Sequence, residues 1–187
     1  MPVNFPKLKE NLSKMYRFLK SRNIRGLREL SNTFTQDLLI YQDQLYLTLA
    51  LSSIVLAKMI EKPRFWKYEE WKDIVFSIEE SVGSCVAMCD AQDKQGIQGV
   101  FKDVLDQLVH VEKKDLRHVN TIVEQGRVKI GALLYAQGLS LGNAAALSGA
   151  SKESIQQYSG GTLISDRFGK TYSIAERIRN VRGLFRD

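Results

Sequence analysis

Apolar residues recur every three or four positions over the first hundred residues, which is the spacing of amphipathic helices. They predict a first helix over about residues 6–21 and a second that begins at Ile24, after an Asn23 cap. A third, long helix is predicted from near Thr35 up to Pro63, which stops it because proline lacks the amide hydrogen that a helix needs. We see no internal repeat in this pattern, although paired helices could mimic one.

Three more helices are predicted before the last third of the chain. The fourth covers about residues 68–89, the fifth begins after Gly96, and a sixth runs from near Lys114 into Leu134. The sixth would join the front of the chain to its last third without a flexible linker. Its weak point is Gly126, because glycine within a helix costs up to about 1 kcal/mol relative to alanine.

These elements predict an all-α protein in two parts. A multi-helix bundle of about five helices takes residues 1–112, and a second domain takes residues 113–187, with the boundary somewhere between 112 and 127. Only 3 prolines and 13 glycines are available to make turns. That supply is too small for many short strands, so an all-β sandwich or barrel is disfavoured.

The last third contains the one specific motif, which has the spacing of a helix-turn-helix. After a helix predicted over residues 127–137, Ser140 caps a short helix and Gly149 falls in the tight turn, where a positive φ favours glycine. Ser151 then caps a second helix that reaches Tyr158. The second domain is therefore predicted to be a C-terminal helix-turn-helix domain.

Spacing also assigns the faces of the two short helices. Ile155 and Tyr158 are predicted to face the core, together with Leu141, Ala144 and Ala145 of the first helix. The other positions of the second helix then face outward, where glutamine can pair with adenine and lysine can reach guanine or phosphate. With phosphate contacts added, the predicted DNA-binding residues are Ser140, Ser151, Lys152, Glu153, Ser154, Gln156, Gln157, Arg127, Lys129, Arg167 and Lys170.

Residues 129–152, KIGALLYAQGLSLGNAAALSGASK, resemble the helix-turn-helix of small, poorly characterised prokaryotic proteins suspected to be antitoxins or DNA-binding regulators. The shared pattern is a tyrosine-containing helix followed by Gly-Leu-Ser-Leu-Gly, Ala-Ala and Ser-Gly-Ala-Ser. The resemblance covers roughly residues 127–165, and the all-helical front with this tail also looks like an uncharacterised archaeal group. It implies DNA binding in transcriptional regulation or in an antitoxin-like repressor.

Charge is distributed unevenly along the chain. The net charge is +6, but residues 1–28 carry +7, residues 29–125 carry −6 and residues 126–187 carry +5. Two basic ends around an acidic middle indicate a polyanion or an acidic partner, although the same charges could balance one another within the molecule. Charge alone also leaves open RNA binding by Arg17, Arg22, Arg25 and Arg28.

The C-terminal tail is predicted to contain a break and a last helix. Residues 159–161, Ser-Gly-Gly, are predicted to be a flexible break before an extended arm or short strand over residues 162–165. Ser173 and Glu176 then form a capping-box pattern at the start of an amphipathic helix. Its basic face, which we expect to be solvated, carries Arg177, Arg179, Arg182 and Arg186.

No catalytic or metal-binding pattern stands out. Cys85 and Cys89 could offer two thiolates, but zinc usually takes four ligands and only His110 and His118 could complete the set. We therefore interpret both cysteines as small apolar residues. A second group, interpreted as a solvated helix face, consists of Asp103, Asp106 and His110. Without a phosphate loop, nucleophile elbow or zinc-protease motif, the sequence predicts no enzyme and no cofactor.

The sequence thus predicts a protein that binds double-stranded DNA as a homodimer, because one short helix reads few base pairs. The N-terminal bundle would mediate dimerisation or bind a protein partner. No signal peptide is visible, and the most apolar stretch, residues 45–57, is shorter than the roughly 18 residues of a membrane span. With two cysteines, the chain is predicted to be cytoplasmic. The alternative is a helical protein–protein interaction scaffold without nucleic-acid binding.

Overall fold

A computed structural model describes residues 3–113 and 121–162, and the regular secondary structure in these ranges is helical throughout. This confirms the all-α fold class and the helical bundle. A short 3-10 turn, Phe65–Lys67, lies between the third and fourth helices. The eight α-helices of the described residues are α1 (Phe5–Lys20), α2 (Ile24–Tyr41), α3 (Gln44–Glu61), α4 (Glu69–Asp90), α5 (Lys94–Lys113), α6 (Ile122–Ala136), α7 (Leu141–Ser148) and α8 (Lys152–Thr162).

The chain divides into two compact units, Met1–Gly126 and Arg127–Asp187, and the division falls within α6. It lies at the upper end of the interval in which the sequence places the domain boundary. In the first unit α1 packs against α2 and α4, while α3 packs against α2 and α5. The two basic residues predicted as phosphate contacts near the C-terminus, Arg167 and Lys170, lie outside the described residues, as do the last predicted helix and His118.

The predicted helix from Thr35 to Pro63 is wrong in one respect, because the chain turns between α2 and α3. Gln42 adopts a left-handed conformation with φ of 49°. Asp43 then caps α3, its carboxylate accepting a hydrogen bond from the Leu45 amide at 3.0 Å. An aspartate before an apolar run is a typical cap, so the signal was present in the sequence but was outweighed by the continuous apolar pattern.

α3 is the central helix of the first unit. Within the described residues it is the one helix long and apolar enough to cross a membrane, but 78% of it is buried inside the protein. The apolar stretch of α3 is buried against α2 and α5, as expected for the core helix of a bundle. The helix ends at Glu61, before Pro63, as predicted.

The turn between α1 and α2 and the turn between α4 and α5 are built alike, seventy residues apart. In each, a left-handed residue, Arg22 or Gln92, precedes a cap residue, Asn23 or Asp93. Each cap side chain accepts a hydrogen bond from the amide of a glycine three residues later, at 2.9 Å in the first turn and 2.8 Å in the second. The second cap also makes α5 begin at Lys94, before the predicted start.

The buried faces of the two helical hairpins match at the same offset. Leu8, Leu12, Met15 and Leu19 of α1 are buried, and so are the residues of α4 that correspond to them: Ile78, Val82, Cys85 and Cys89. The first unit therefore contains an internal repeat of a helical hairpin, and the prediction of no repeat is corrected. The repeat preserves burial and turn chemistry but few residue identities, so it is hard to see in the sequence alone.

The predicted sixth helix, continuous from Lys114, is also corrected, because Thr121 lies outside any helix. The Thr121 amide donates to the Glu124 carboxylate at 3.0 Å, and the Glu124 amide donates to the Thr121 hydroxyl at 3.1 Å. These reciprocal bonds are a capping box, which starts α6 at Ile122. The sequence Thr-Ile-Val-Glu, residues 121–124, carried this signal.

Gly126 is buried where the first turn of α6 meets α3. A Cβ there would lie 3.3 Å from Cγ2 of Ile54 and 3.3 Å from Cδ2 of Leu51, which is tighter than ordinary contact. The glycine that the sequence marks as a weak point is thus the position at which α6 comes close to α3. Glycine at this position lowers the helix propensity of α6, but it allows the close packing against α3 within the first unit.

Candidate nucleic-acid interface

The first short helix of the predicted motif, α7, is bounded by polar caps. The Ser140 hydroxyl accepts a hydrogen bond from the Asn143 amide at 3.2 Å. Gly149 follows the helix with φ of 69°, and its amide donates to the Ala145 carbonyl at 2.9 Å. The predicted roles of Ser140 as cap and of Gly149 as the left-handed turn residue are confirmed.

The second short helix, α8, begins at a serine cap. The Ser151 hydroxyl accepts a hydrogen bond from the Ser154 amide at 3.1 Å, as predicted. The predicted flexible break at Gly160 and Gly161 is wrong, because α8 continues through both glycines to Thr162. A Cβ at either glycine would meet no described atom within 4 Å. Glycine lowers helix propensity but does not forbid helix, and here two glycines extend α8 by a turn.

Ile155 anchors α8, since its side chain is fully buried as predicted. It lies against Gly131 of α6, where a Cβ would be only 2.6 Å from Cδ1 of Ile155 and 2.7 Å from Oγ of Ser148. Ala144 is also buried, whereas Tyr158 is half-buried. α6 therefore approaches both short helices at a position where even a methyl group would require its neighbours to shift.

Sequence reasoning did not single out Gly131. The available signal was a glycine within a predicted helix, which costs up to about 1 kcal/mol against alanine unless packing needs it. Its partners, Ser148 and Ile155, lie far along the chain, so spacing alone did not connect them.

Alanine at Gly131 is expected to lower the free energy of unfolding by about 1–2 kcal/mol. The added methyl group overpacks the contact with Ile155, and better helix propensity offsets part of that cost. Urea unfolding followed by circular dichroism measures the change. Gly160→Ala is the matched control and is expected to be neutral or stabilising. Adding Ile155→Val, which removes Cδ1, is expected to recover part of the loss in Gly131→Ala; no recovery would contradict the contact.

The outward face of α8 consists of four exposed side chains, Lys152, Glu153, Gln156 and Gln157. At about 100° per residue they occupy one arc of about 140°, the centre of which lies about 130° around the helix from the buried Ile155. Ser154 lies beside the arc and is half-buried. The arc carries one positive and one negative charge, so its formal charge is zero, while its two adjacent amides offer both hydrogen-bond donors and acceptors.

The other predicted contacts have different surroundings. Ser140 and Ser151 are exposed, and their hydroxyls are engaged as helix caps. Lys129 is half-buried. Nη1 of Arg127 donates to the Ser148 carbonyl at 3.1 Å, so this guanidinium contacts the end of α7. The structure thus brings Arg127 to the motif itself.

The basic N-terminal segment is largely neutralised within the first unit. Five of its cations form ion pairs, namely Lys7–Asp37, Lys9–Asp90, Lys14–Glu10, Arg25–Glu29 and Arg28–Glu61. Arg22 lies over the Trp66 ring, 4.2 Å from its centroid, and Lys20 lies 4.6 Å from the centroid of Tyr16. These contacts favour internal charge balance over a polyanion site in residues 1–28.

The cysteines are unsuited to thiolate chemistry. Burial, with a smaller contribution from Cys89, raises the pKa of Cys85 to about 12, and burial also raises the pKa of Cys89. Both thiols are therefore protonated at neutral pH. Asp103, Asp106 and His110 are exposed on α5. In the ranges that the structure covers, no three His, Cys, Asp or Glu side chains come together as a metal site would require.

No protein-family model, curated protein or solved structure matches this chain.

Proposed function

We propose that α6, α7 and α8 form a helix-turn-helix that binds double-stranded DNA, with α8 in the major groove. The observation that supports this most is the exposed arc of α8, which presents Gln156 and Gln157 away from the buried Ile155. Glutamine can form two hydrogen bonds with adenine in the major groove. A short helix held at its start by Ser151 and at its back by Gly131 would present these amides in a fixed orientation.

The charge of α8 sets the kind of binding to expect. Its exposed arc is neutral, so it would contribute base contacts and few of the phosphate contacts that dominate affinity. Phosphate contacts would come from Lys129, and from Arg167 and Lys170 beyond the described residues. Residues 126–187 carry a net charge of +5, which favours a polyanionic partner for this part of the chain.

A homodimer would fit this recognition, because a single short helix reads too few bases to select a site in a genome. Two copies would bind half-sites about 34–36 Å apart, one helical turn of DNA. The first unit would then mediate dimerisation or bind a protein partner. We propose a cytoplasmic transcriptional regulator or an antitoxin-like repressor.

The full chain is expected to bind a labelled random-sequence duplex, with an affinity that falls as salt rises. Phosphate contacts release counterions, so the logarithm of affinity falls with the logarithm of salt by about 0.9 per contact. Fluorescence anisotropy at several salt concentrations measures the slope. Point variants are preferable to truncation at residue 127, which would cut α6.

The matched pair for this assay is Lys129→Ala and Arg25→Ala, which remove one positive charge from each unit. Arg25 pairs with Glu29 one turn away in α2. We expect Lys129→Ala to reduce the slope by about one contact, or 0.9, and Arg25→Ala to leave it unchanged. No binding at low salt would reject the proposal, and equal slopes in all three proteins would reject Lys129 as a contact.

The second candidate is an interaction scaffold that does not bind nucleic acid. The observation in its favour is the zero charge of the exposed arc of α8, together with the internal pairing of the N-terminal cations. In that case the two glutamines would bond to a protein surface. Absence of DNA binding at low salt would favour this second candidate over the first.

A further inference from the structure

Arg127 lies beside the turn that joins α7 to α8. Its Nη1 donates to the carbonyl oxygen of Ser148, the last residue of α7, at 3.1 Å. A Cβ at Gly149 would lie 2.5 Å from the same nitrogen. The guanidinium therefore occupies the space that the glycine leaves open, and it packs against the turn at two successive residues.

The chemistry of a helix end explains this contact. The last four carbonyls of a helix lack partners within it, and the end carries a partial negative charge that favours a cation. At α7 the Ala145 carbonyl accepts from the Gly149 amide, and the Ser148 carbonyl accepts from Arg127. The Ser148 hydroxyl accepts from the Ala150 amide at 3.3 Å, so the turn is hydrogen-bonded at each step.

We infer that Arg127 is a positioning residue that holds the α7–α8 turn, and that it acts on DNA through the orientation of α8. The consequence for DNA rests on the proposed function, whereas the effect on the turn does not. Gln156 and Gln157 must be held within about 0.5 Å of the geometry in which they form paired hydrogen bonds with their bases. Loss of the hydrogen bond from Arg127 would make the orientation of α8 less fixed. The protein would then discriminate less well between DNA sequences.

The two possible roles of Arg127 differ in their salt dependence. A phosphate contact, when removed, weakens binding about equally on all sequences and reduces the salt slope by about one contact. A positioning residue, when removed, leaves the slope unchanged and lowers the ratio of affinities for a selected and a scrambled duplex.

The experiment compares four full-length proteins: wild type, Arg127→Gln, Arg127→Lys and Lys129→Gln. Lys129→Gln is the control, because it removes a positive charge two residues from Arg127 on α6. Hydrogen exchange by mass spectrometry follows the amides of Gly149 and Ala150 without DNA, and anisotropy follows both duplexes across salt. Loss of a hydrogen bond from a charged donor raises the population of the opened turn, from which amides exchange, by about tenfold or more. We therefore expect about tenfold faster exchange of these amides in Arg127→Gln, a smaller change in Arg127→Lys, and none in Lys129→Gln.

In DNA binding, Arg127→Gln is expected to keep the wild-type slope and to lose about tenfold in discrimination, while Lys129→Gln loses slope. Unchanged exchange at the turn in Arg127→Gln would overturn the inference, as would a reduced slope with intact discrimination. Circular dichroism shows whether Arg127→Lys is folded. If it is, its amide exchange at the turn can be compared with that of Arg127→Gln. Faster exchange in a protein that binds no DNA would support the role of Arg127 at the turn and reject the proposed function, so the two failures are distinguishable.

Discussion

Alanine at both Gln156 and Gln157 is expected to lower the preference for a selected duplex over a scrambled one by about 30-fold or more. Each paired hydrogen bond to a base contributes about 1–3 kcal/mol of discrimination, and two such pairs would be lost. Both side chains are exposed on α8, so stability should change by less than about 0.5 kcal/mol. Anisotropy with both duplexes and urea unfolding measure the two quantities.

The matched control is Gln36→Ala with Gln95→Ala, two exposed glutamines on helices of the first unit. This pair makes the same chemical change and is expected to leave discrimination intact. A double variant of α8 that still prefers the selected duplex as strongly as wild type would show that these glutamines do not read bases. Lost stability in that variant would instead assign them a packing role.

Methionine at Lys7 is expected to lower the free energy of unfolding of the bundle by about 2–3 kcal/mol. Lys7 of α1 pairs with Asp37 of α2, whose side chain is 1% exposed. Removing the cation leaves a buried carboxylate without its partner, which costs about 3–5 kcal/mol for a fully buried pair. The smaller figure applies because the lysine side chain is 44% exposed, so water already weakens the pair.

Lys9→Met tests that explanation, because it makes the same substitution two residues along α1. Lys9 and its partner Asp90 are 42% and 65% exposed, so we expect a loss of at most about 1 kcal/mol. Adding Asp37→Leu to Lys7→Met removes the buried charge and is expected to recover most of the stability. Urea unfolding compares the four proteins. Equal losses in the two single variants would mean that burial of Asp37 does not govern the energy.

Features that depend on a few neighbouring residues were predictable. Asn23, Ser140 and Ser151 cap helices through bonds that span three residues, and Pro63 ends a helix through its own missing amide. Where local reasoning failed, a local signal had been outweighed by a longer one. The apolar run before Pro63 concealed the Asp43 cap, and the glycines of α8 suggested a break although helix can continue through them.

The candidate site was predictable only in part. The exposed positions of α8 follow from helical periodicity once Ile155 is taken as buried, because a helix places every side chain at a fixed angle. The close approach at Gly131 and the bond from Arg127 to Ser148 do not follow, since each joins residues about twenty positions apart. Arg127 is of a residue type that commonly contacts phosphate. Only its position beside the α7–α8 turn indicates that it is a positioning residue.

The sequence by itself determined most of the helices, several of their caps and their buried stripes, because hydrogen bonds and periodicity within a helix involve residues a few positions apart. Only the tertiary structure decided which charges are neutralised, as with Lys7 and Asp37, and that the two hairpins repeat the same turn. It alone also decided that a glycine, Gly131, lies where α6 meets α8. Those outcomes depend on side chains that are distant in the chain and adjacent in space, and the energy of such a contact is absent until the fold brings its members together.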